Sequence, residues 1–267
     1  MSIPIITFDI DGTLLSPAER IHPADLHLLN HPPAGAVLVP NTGRPLLPVG
    51  RLLRRQGAFT GCDRLPLPAV TQNGGAIYAA GERLLDTQTL GPDLFAQILG
   101  IIHAFPRVMT MVNTADCIYA LHPTPFGMDK AAGFDFTVQP YDSRDPGQRF
   151  IKVMWCSDRY DELEEMSRCA AELPAAVTSS MPFIVEVNPL GVDKATGLQR
   201  LLERLGLPNS PVYAAGDGGN DLDLLRAAAR SFTPATSPAE VQAAASEVVD
   251  AAREGILTPM LRAAGVG

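Results

Sequence analysis

Four short apolar stretches rich in β-branched residues, at positions 3–8, 36–39, 69–71 and 212–215, are each followed by polar or glycine-containing residues. Runs of this kind, apolar on both sides and only a few residues long, predict buried parallel strands. Between them the apolar spacing turns helical. It is clearest at Leu198, Leu201, Leu202 and Leu205, with Gly206 placed to stop the helix. Alternation of strand and helix predicts an α/β fold with a doubly wound, Rossmann-like parallel-sheet core.

The middle of the chain has another texture. Positions 108–113 and 117–121 read as a hairpin across a short polar turn, and 149–156 as a further strand. Asp158 is placed as the N-cap of a helix with Leu163, Met166, Ala170 and Leu173 on one face, and 183–187 closes the segment as a strand. The expected organisation is a core made of 1–82 and 187–267, interrupted by an inserted α+β unit at 83–186.

Composition narrows the function classes. With 267 residues and 46% hydrophobic content the chain is long enough for a sizeable core. A net charge of −8 argues against general attraction to nucleic acid or to an anionic membrane surface. Its first apolar run meets Asp9 too early for a signal peptide, and no stretch reaches the roughly 20 apolar residues of a bilayer span. Cys62, Cys117, Cys156 and Cys169 form no CxxC pair, which suits free thiols in the reducing cytoplasm.

Four places carry candidate chemistry. Asp9-Ile10-Asp11-Gly12-Thr13 follows the first strand, so its two acids fall in the crevice where open α/β sheets bind ligands. Asp9 is placed as a carboxylate nucleophile and Asp11 as a group that hands a proton to a leaving oxygen and later activates water, with Gly12 allowing the tight turn. Asn41-Thr42-Gly43-Arg44 offers a hydroxyl and backbone N–H groups to phosphoryl oxygens, although the same residues also make ordinary turns. Asn73-Gly74-Gly75 is either a turn or a ligand-facing loop. Lys194 opens a helix, where its charge opposes the helix dipole unless an anion or carboxylates accompany it. Gly216-Asp217-Gly218-Gly219-Asn220-Asp221 follows another strand and supplies hard oxygen donors suited to magnesium; the ligand order of an EF-hand is absent. Nucleophile, positioning donors, cation and metal ligands are together the parts of a phosphoryl-transfer site.

These motifs, in this order, resemble the haloacid dehalogenase-like (HAD) superfamily: Asp9-x-Asp11-Gly12-Thr13, Thr42-Gly43-Arg44, Lys194 and Gly216-Asp217-x-x-Asn220-Asp221. The long gap between the second and third motifs, and Asn73-Gly74-Gly75, resemble its Cof-type branch with a C2-type cap (subclass IIB). The resemblance implies a Mg2+-dependent phosphatase that hydrolyses small phosphate monoesters, such as sugar phosphates, through an aspartyl-phosphate on Asp9. It further implies Asp9, Asp11, Thr42 and Lys194 as catalytic residues. Gly12, Thr42, Gly43, Arg44, Asn73, Lys194 and Asn220 would surround the phosphate, and Asp9, Asp11 (through its carbonyl), Asp217, Asn220 and Asp221 the metal. The inserted unit becomes a cap that covers the cleft and selects the substrate. The partner expected is a small molecule, with no nucleic acid or membrane, and the enzyme a monomer or weak homodimer. Asn41 and Ala195 stand where alanine or serine, and glycine, are frequent in that family. Two rivals remain: a phosphomutase of the same superfamily, marked by dependence on a bisphosphorylated activator, and a non-catalytic metabolite-binding protein.

Weaker signals point elsewhere. His27 and His31 have the spacing of a helical metal pair, but Pro32 and Pro33 end any helix there. Asp161, Glu162, Glu164 and Glu165 read as a solvated helix face, and Phe126, Met128 and Lys130 as cap packing or substrate contacts.

Overall fold

The computed structural model describes residues 2–142 and 149–266, and they divide into two compact units, 1–86 with 193–267 and 87–192. In chain order the first unit supplies strands β1 (Ile5–Phe8), β2 (Val37–Pro40), β3 (Ala69–Thr71), β4 (Ala76–Ala79) and β5 (Arg83–Thr87). The second follows with β6 (Met109–Asn113), β7 (Ile118–Leu121), β8 (Val138–Pro140), β9 (Lys152–Cys156), β10 (Ala175–Met181) and β11 (Ile184–Pro189). The chain then returns to the first with β12 (Val212–Ala215), β13 (Arg230–Pro234) and β14 (Glu247–Val249). The units meet a few residues beyond 82/83 and 186/187. β5 belongs to a small sheet of the first unit, and β11 runs on to Pro189 in the second.

The first unit holds a parallel five-stranded sheet in the order β14-β13-β12-β1-β2, the α/β architecture its alternating pattern predicts. Ile5, Ile6 and Phe8 of β1 are fully buried, because a strand covered on both faces has no solvent side to make polar. Residues 69–71 depart from expectation. They pair antiparallel with β4 in a separate sheet ordered β3-β4-β5, and join the end of β2 through a bridge from Val70 to Asn41 and a bond from the Thr42 N–H to the Val70 carbonyl. Three residues are too few for their apolar character to specify a neighbour.

One helix is tied to the start of another by a buried acid. Asp25, in the helix Pro23–Asn30, accepts from the N–H groups of Ile256 (2.8 Å) and Leu257 (2.9 Å), where the helix Leu257–Ala263 begins. Burial raises the Asp25 pKa, and the two N–H bonds offset part of that rise. Asp25→Ala would strand two buried N–H groups. The expected result is a loss of about 1–3 kcal/mol, read as a lower denaturant midpoint; an unchanged midpoint would show that the acid contributes no net stability.

The second unit is a six-stranded sheet ordered β10-β11-β9-β6-β7-β8. The hairpin expected at 108–113 and 117–121 is the antiparallel pair β6–β7. On one face, Val112, Val153, Trp155, Val185 and Val187 pack with Phe95, Ile98 and Ile102 of the helix Pro92–Ala104 and Leu163, Met166 and Ala170 of the helix Tyr160–Ala171. The N-cap of that second helix is Arg159 rather than Asp158; Ser157 Oγ accepts from the Arg159 N–H, closing a turn one residue further on. The other face carries Met109, Met111, Met154, Cys156 and Ile184 in a cluster with Ala131 of the helix Pro125–Gly133. Phe126 meets Phe183 edge-on at 5.9 Å and Lys130 lies over both rings, while Met128 is exposed. His31 caps the end of its helix just before the two prolines, and its ring lies 4.8 Å from that of His27. Neither histidine belongs to a metal-binding group among the described residues.

Candidate active site

Asp9 follows β1 directly and Asp217 lies two residues past β12, neighbouring strands of the parallel sheet. β1 also has β2 on its other side, so the connections leave β1 in opposite directions at this point. The carboxyl ends of the strands open there into a crevice.

Lys194 converges on that crevice from the first turn of the helix Lys194–Leu205. The helix starts where it does because Asp193 and Thr196 form a reciprocal capping box, at 2.8 and 3.0 Å, and it stops at Gly206 with φ 74°. The buried Lys194 ammonium lies 3.0 Å from Asp9 Oδ1 and 2.6 Å from Asp221 Oδ1. Two carboxylates thus offset a cation at a helix N-terminus, where the dipole alone would repel it. Burial would lower the Lys194 pKa, but Asp221 and Asp9 more than reverse this, so it stays charged.

Three carboxylates around one ammonium leave an excess of negative charge. Burial holds the Asp9 pKa well above the usual carboxylate range. Lys194 opposes that rise, and Asp221, Asp11 and Asp217 add to it. Asp217 is pushed up to about 6, first by burial and then by Asp221 and Asp11, against the Thr13 hydroxyl that donates to it at 2.7 Å. One oxygen from each of Asp9, Asp217 and Asp221 falls within 4.8 Å of the others. Hard donors crowded this closely, with unbalanced charge, fit a small divalent cation such as magnesium. Within the cluster Asp221 is already engaged: Oδ1 meets Lys194 and Oδ2 accepts from the N–H groups of Asp217 and Gly218 at 3.1 and 3.0 Å. Asp9 and Asp217 each keep a second oxygen for a metal.

Two glycines permit this crowding. Gly12 has φ 78°, and a Cβ there would sit 2.1 Å from Asp217 Oδ2. Gly74 has φ 91°, and a Cβ there would sit 2.0 Å from the Asp193 carbonyl. The 72–74 loop therefore packs against the helix start that carries Lys194. Arg200 of the same helix donates to the Gly74 carbonyl.

The remaining candidates gather around this centre with partners that their motifs do not specify. Arg44 grips Asp11 with two bonds of 2.7 Å, and Asp11 is partly exposed. Burial would lower the Arg44 pKa, but the bonds and charge of Asp11 raise it. Thr42 is buried, its hydroxyl accepting from the Arg44 N–H at 3.2 Å. Asn220 donates to Asn73 Oδ1 at 3.2 Å, and a Cβ on Gly43 would lie 2.9 Å from that same oxygen, so these three residues adjoin. Thr13 and Asn41 also belong to the site, although sequence reasoning gives neither a role. Asn41, fully buried, donates to the Lys194 carbonyl at 2.9 Å and ties the Thr42 loop to the lysine. Thr13 and Asn41 both stand inside motifs that the sequence singles out, Asp9-Ile10-Asp11-Gly12-Thr13 and Asn41-Thr42-Gly43-Arg44, and that membership is the sequence signal that points to them.

The family model for haloacid dehalogenase-like hydrolases matches residues 6–258. A phosphoglycolate phosphatase of Natronomonas pharaonis is 28% identical over 97% of this chain and 96% of its own length. An HMP-PP phosphatase of Cronobacter sakazakii is 28% identical over 84% of this chain and 81% of its own. Among solved structures, the HAD subclass IIB sugar phosphatase BT4131 superposes with a TM-score of 0.78 at 21% identity, covering 98% of this chain and 99% of that one, a likeness of fold.

Proposed function

Since the chain belongs to the haloacid dehalogenase-like hydrolase family, we propose that it is a magnesium-dependent phosphatase working through an aspartyl-phosphate on Asp9. It is a phosphoric monoester hydrolase of that family, acting on small phosphate compounds. The observation that carries the finer reading is the convergence of Asp9 and Asp221 on Lys194, with Asp217 grouped beside them, at the carboxyl ends of β1 and β12.

In the proposed reaction an Asp9 oxygen attacks phosphorus as the ester oxygen departs, and Asp11 gives that oxygen its proton. Asp11, now a carboxylate, takes a proton from water; the water oxygen attacks phosphorus, releases phosphate and restores Asp9. Lys194, Thr42 and the backbone around Gly12 and Gly43 hold the phosphoryl oxygens, with Asn73 and Asn220 beside them. Arg44 orients Asp11, which must release part of that grip to reach the leaving oxygen. Asp9, Asp217 and the Asp11 carbonyl hold magnesium, supported by Asn220 and Asp221. When bound, the ion neutralises charge on the transferring group. The unit 87–192 is the cap and the rest is the catalytic core. Free cysteines suit a cytoplasmic enzyme, and no helix among the described residues is long and apolar enough to cross a membrane. The substrate class favoured is small sugar phosphates and related metabolites.

The test is phosphate release from sugar phosphates, nucleotides and an aryl phosphate, with magnesium and after chelation. Release is expected only with magnesium; turnover at full rate in excess chelator would overturn metal dependence.

Acid should weaken metal binding. With a pKa of about 6 against an ordinary 3.8, Asp217 must shed a proton to bind a cation across that interval. The same raised pKa stabilises the metal-free fold fully below pH 3.8, and this contribution fades as pH climbs through about 6. Magnesium should therefore raise the melting temperature more at pH 7.5 than at pH 5, roughly as binding linkage requires. Equal shifts at both pH values would remove Asp217 from the ligand set.

A further inference from the structure

The turn that carries Asn73 is built from three successive residues in the left-handed region, Gln72 at φ 54°, Asn73 at φ 54° and Gly74 at φ 91°. Glycine takes that conformation freely and asparagine tolerates it, but a glutamine there is strained. Such a turn persists only where its surroundings hold it. From one side the Thr42 loop does so: the Gln72 N–H donates to the Arg44 carbonyl and the Asn73 N–H to the Thr42 carbonyl, both at 3.1 Å. The helix Lys194–Leu205 holds it from the other. Asp193, Gly197 and Arg200 recur at helical spacing along one side of that helix. A Cβ on Gly74 would strike the Asp193 carbonyl, one on Gly197 would lie 2.5 Å from the Gly74 Cα, and Arg200 donates to the Gly74 carbonyl.

Arg200 is itself braced. Its other terminal nitrogen meets Asp86 Oδ2 of β5 at 2.8 Å. Both side chains stay partly exposed, at 22% and 26%, so the pair by itself adds little to stability. Its effect is to orient the planar guanidinium so that one N–H stays on the Gly74 carbonyl. The turn so held presents Asn73 where two loops of the site meet. Asn73 Oδ1 accepts from Asn220 of the 216–221 loop and lies against Gly43 of the Thr42 loop. A shift of the turn therefore moves two of the groups placed beside the phosphoryl oxygens at once.

We infer that Arg200, braced by Asp86, is a positioning residue of the phosphate site: it keeps the 72–74 turn in its left-handed form and thereby sets how tightly Asn73 and Asn220 hold phosphoryl oxygens. Its kinetic consequence rests on the phosphatase reading above; its hold on the turn does not. Methionine at position 200 keeps an aliphatic stem against the helix while the Gly74 carbonyl and Asp86 lose their shared donor.

The test uses the whole chain as wild type, Arg200→Met, Arg200→Lys, Asp86→Ala, Asn73→Ala and Arg200→Met/Asn73→Ala. Hydrogen exchange follows the amides of Asn73 and of Gly75, which donates to the Gln72 carbonyl. Calorimetry follows inorganic phosphate in the presence of magnesium, and kinetics use an aryl phosphate. In Arg200→Met the two turn amides exchange about tenfold faster while those of β1 do not. Phosphate binds about tenfold more weakly and KM rises by a similar factor, with kcat changed far less, the scale of one lost hydrogen bond. Lysine reaches one of the two partners without spanning both, so Arg200→Lys recovers part of the loss, and Asp86→Ala gives a smaller loss of the same kind. In an Asn73→Ala background Arg200→Met costs no further phosphate affinity, because the two residues act as a unit. Absence of phosphate release from wild type overturns the phosphatase reading, and exchange and inorganic phosphate then decide the role of Arg200 alone. If Arg200→Met lowers only the melting temperature while turn exchange is unmoved, if phosphate binds wild type and variant equally or binds neither, or if the losses from Arg200→Met and Asn73→Ala simply add, Arg200 is structural and the inference is overturned.

Discussion

Asp9→Asn is expected to abolish phosphate release, by about 10⁴-fold or more, the scale reached when a hydrolase loses a core catalytic group. The amide has the shape of the carboxylate but is a poor nucleophile and carries no charge for a metal. Its effect on folding should run the other way. Asp9 sits in an excess of negative charge that raises its pKa, so a neutral group relieves repulsion from Asp221, Asp11 and Asp217. Lys194 keeps its 2.6 Å partner Asp221. The metal-free variant should therefore melt at or above the wild-type temperature while being inactive. Near-normal turnover would eliminate Asp9 as nucleophile. A large fall in melting temperature would mean instead that the Asp9–Lys194 pair is a structural necessity.

Lys194→Ala should lose both activity and stability. The ammonium is the only cation paired with Asp9 and Asp221 among the described residues, and Asp221 is completely buried. Breaking a buried pair from one side strands a charge, at a cost of about 3–5 kcal/mol. Activity should fall about 10²–10³-fold through kcat, because the lysine's charge counts most when the phosphoryl group carries most negative charge. Magnesium should recover part of the melting temperature by replacing positive charge, without restoring kcat. A variant with unchanged kcat and only a higher KM would assign Lys194 to ground-state binding.

Much of this centre is legible in the amino-acid sequence. β1, β2 and β12 lie largely buried in the parallel sheet, so their sequences are almost continuously apolar, Thr7 apart, and the acids that follow β1 and β12 mark the strand ends. The helix Lys194–Leu205 declares itself by its apolar spacing and its Gly206 stop. β13 and β14 do not. Arg-Ser-Phe-Thr-Pro buries Ser231 and Thr233, and Glu247–Val249 is only three residues long, so neither shows an apolar run. Nor does the sequence mark Lys152 and Glu186, two charged positions inside strands, as buried and paired.

By itself the sequence determined which functional groups the protein owns and that they stand at strand ends and a helix start, because those properties follow from local composition and periodicity. Tertiary structure alone decided the partners: Asp221 with Lys194, Arg44 with Asp11, Thr13 with Asp217, Asn41 with the Lys194 carbonyl and Asn220 with Asn73. Most of these pairs span tens to hundreds of residues. Their contact is set by how the parallel strands stack and where each loop leaves the sheet, and no local pattern of residues records that.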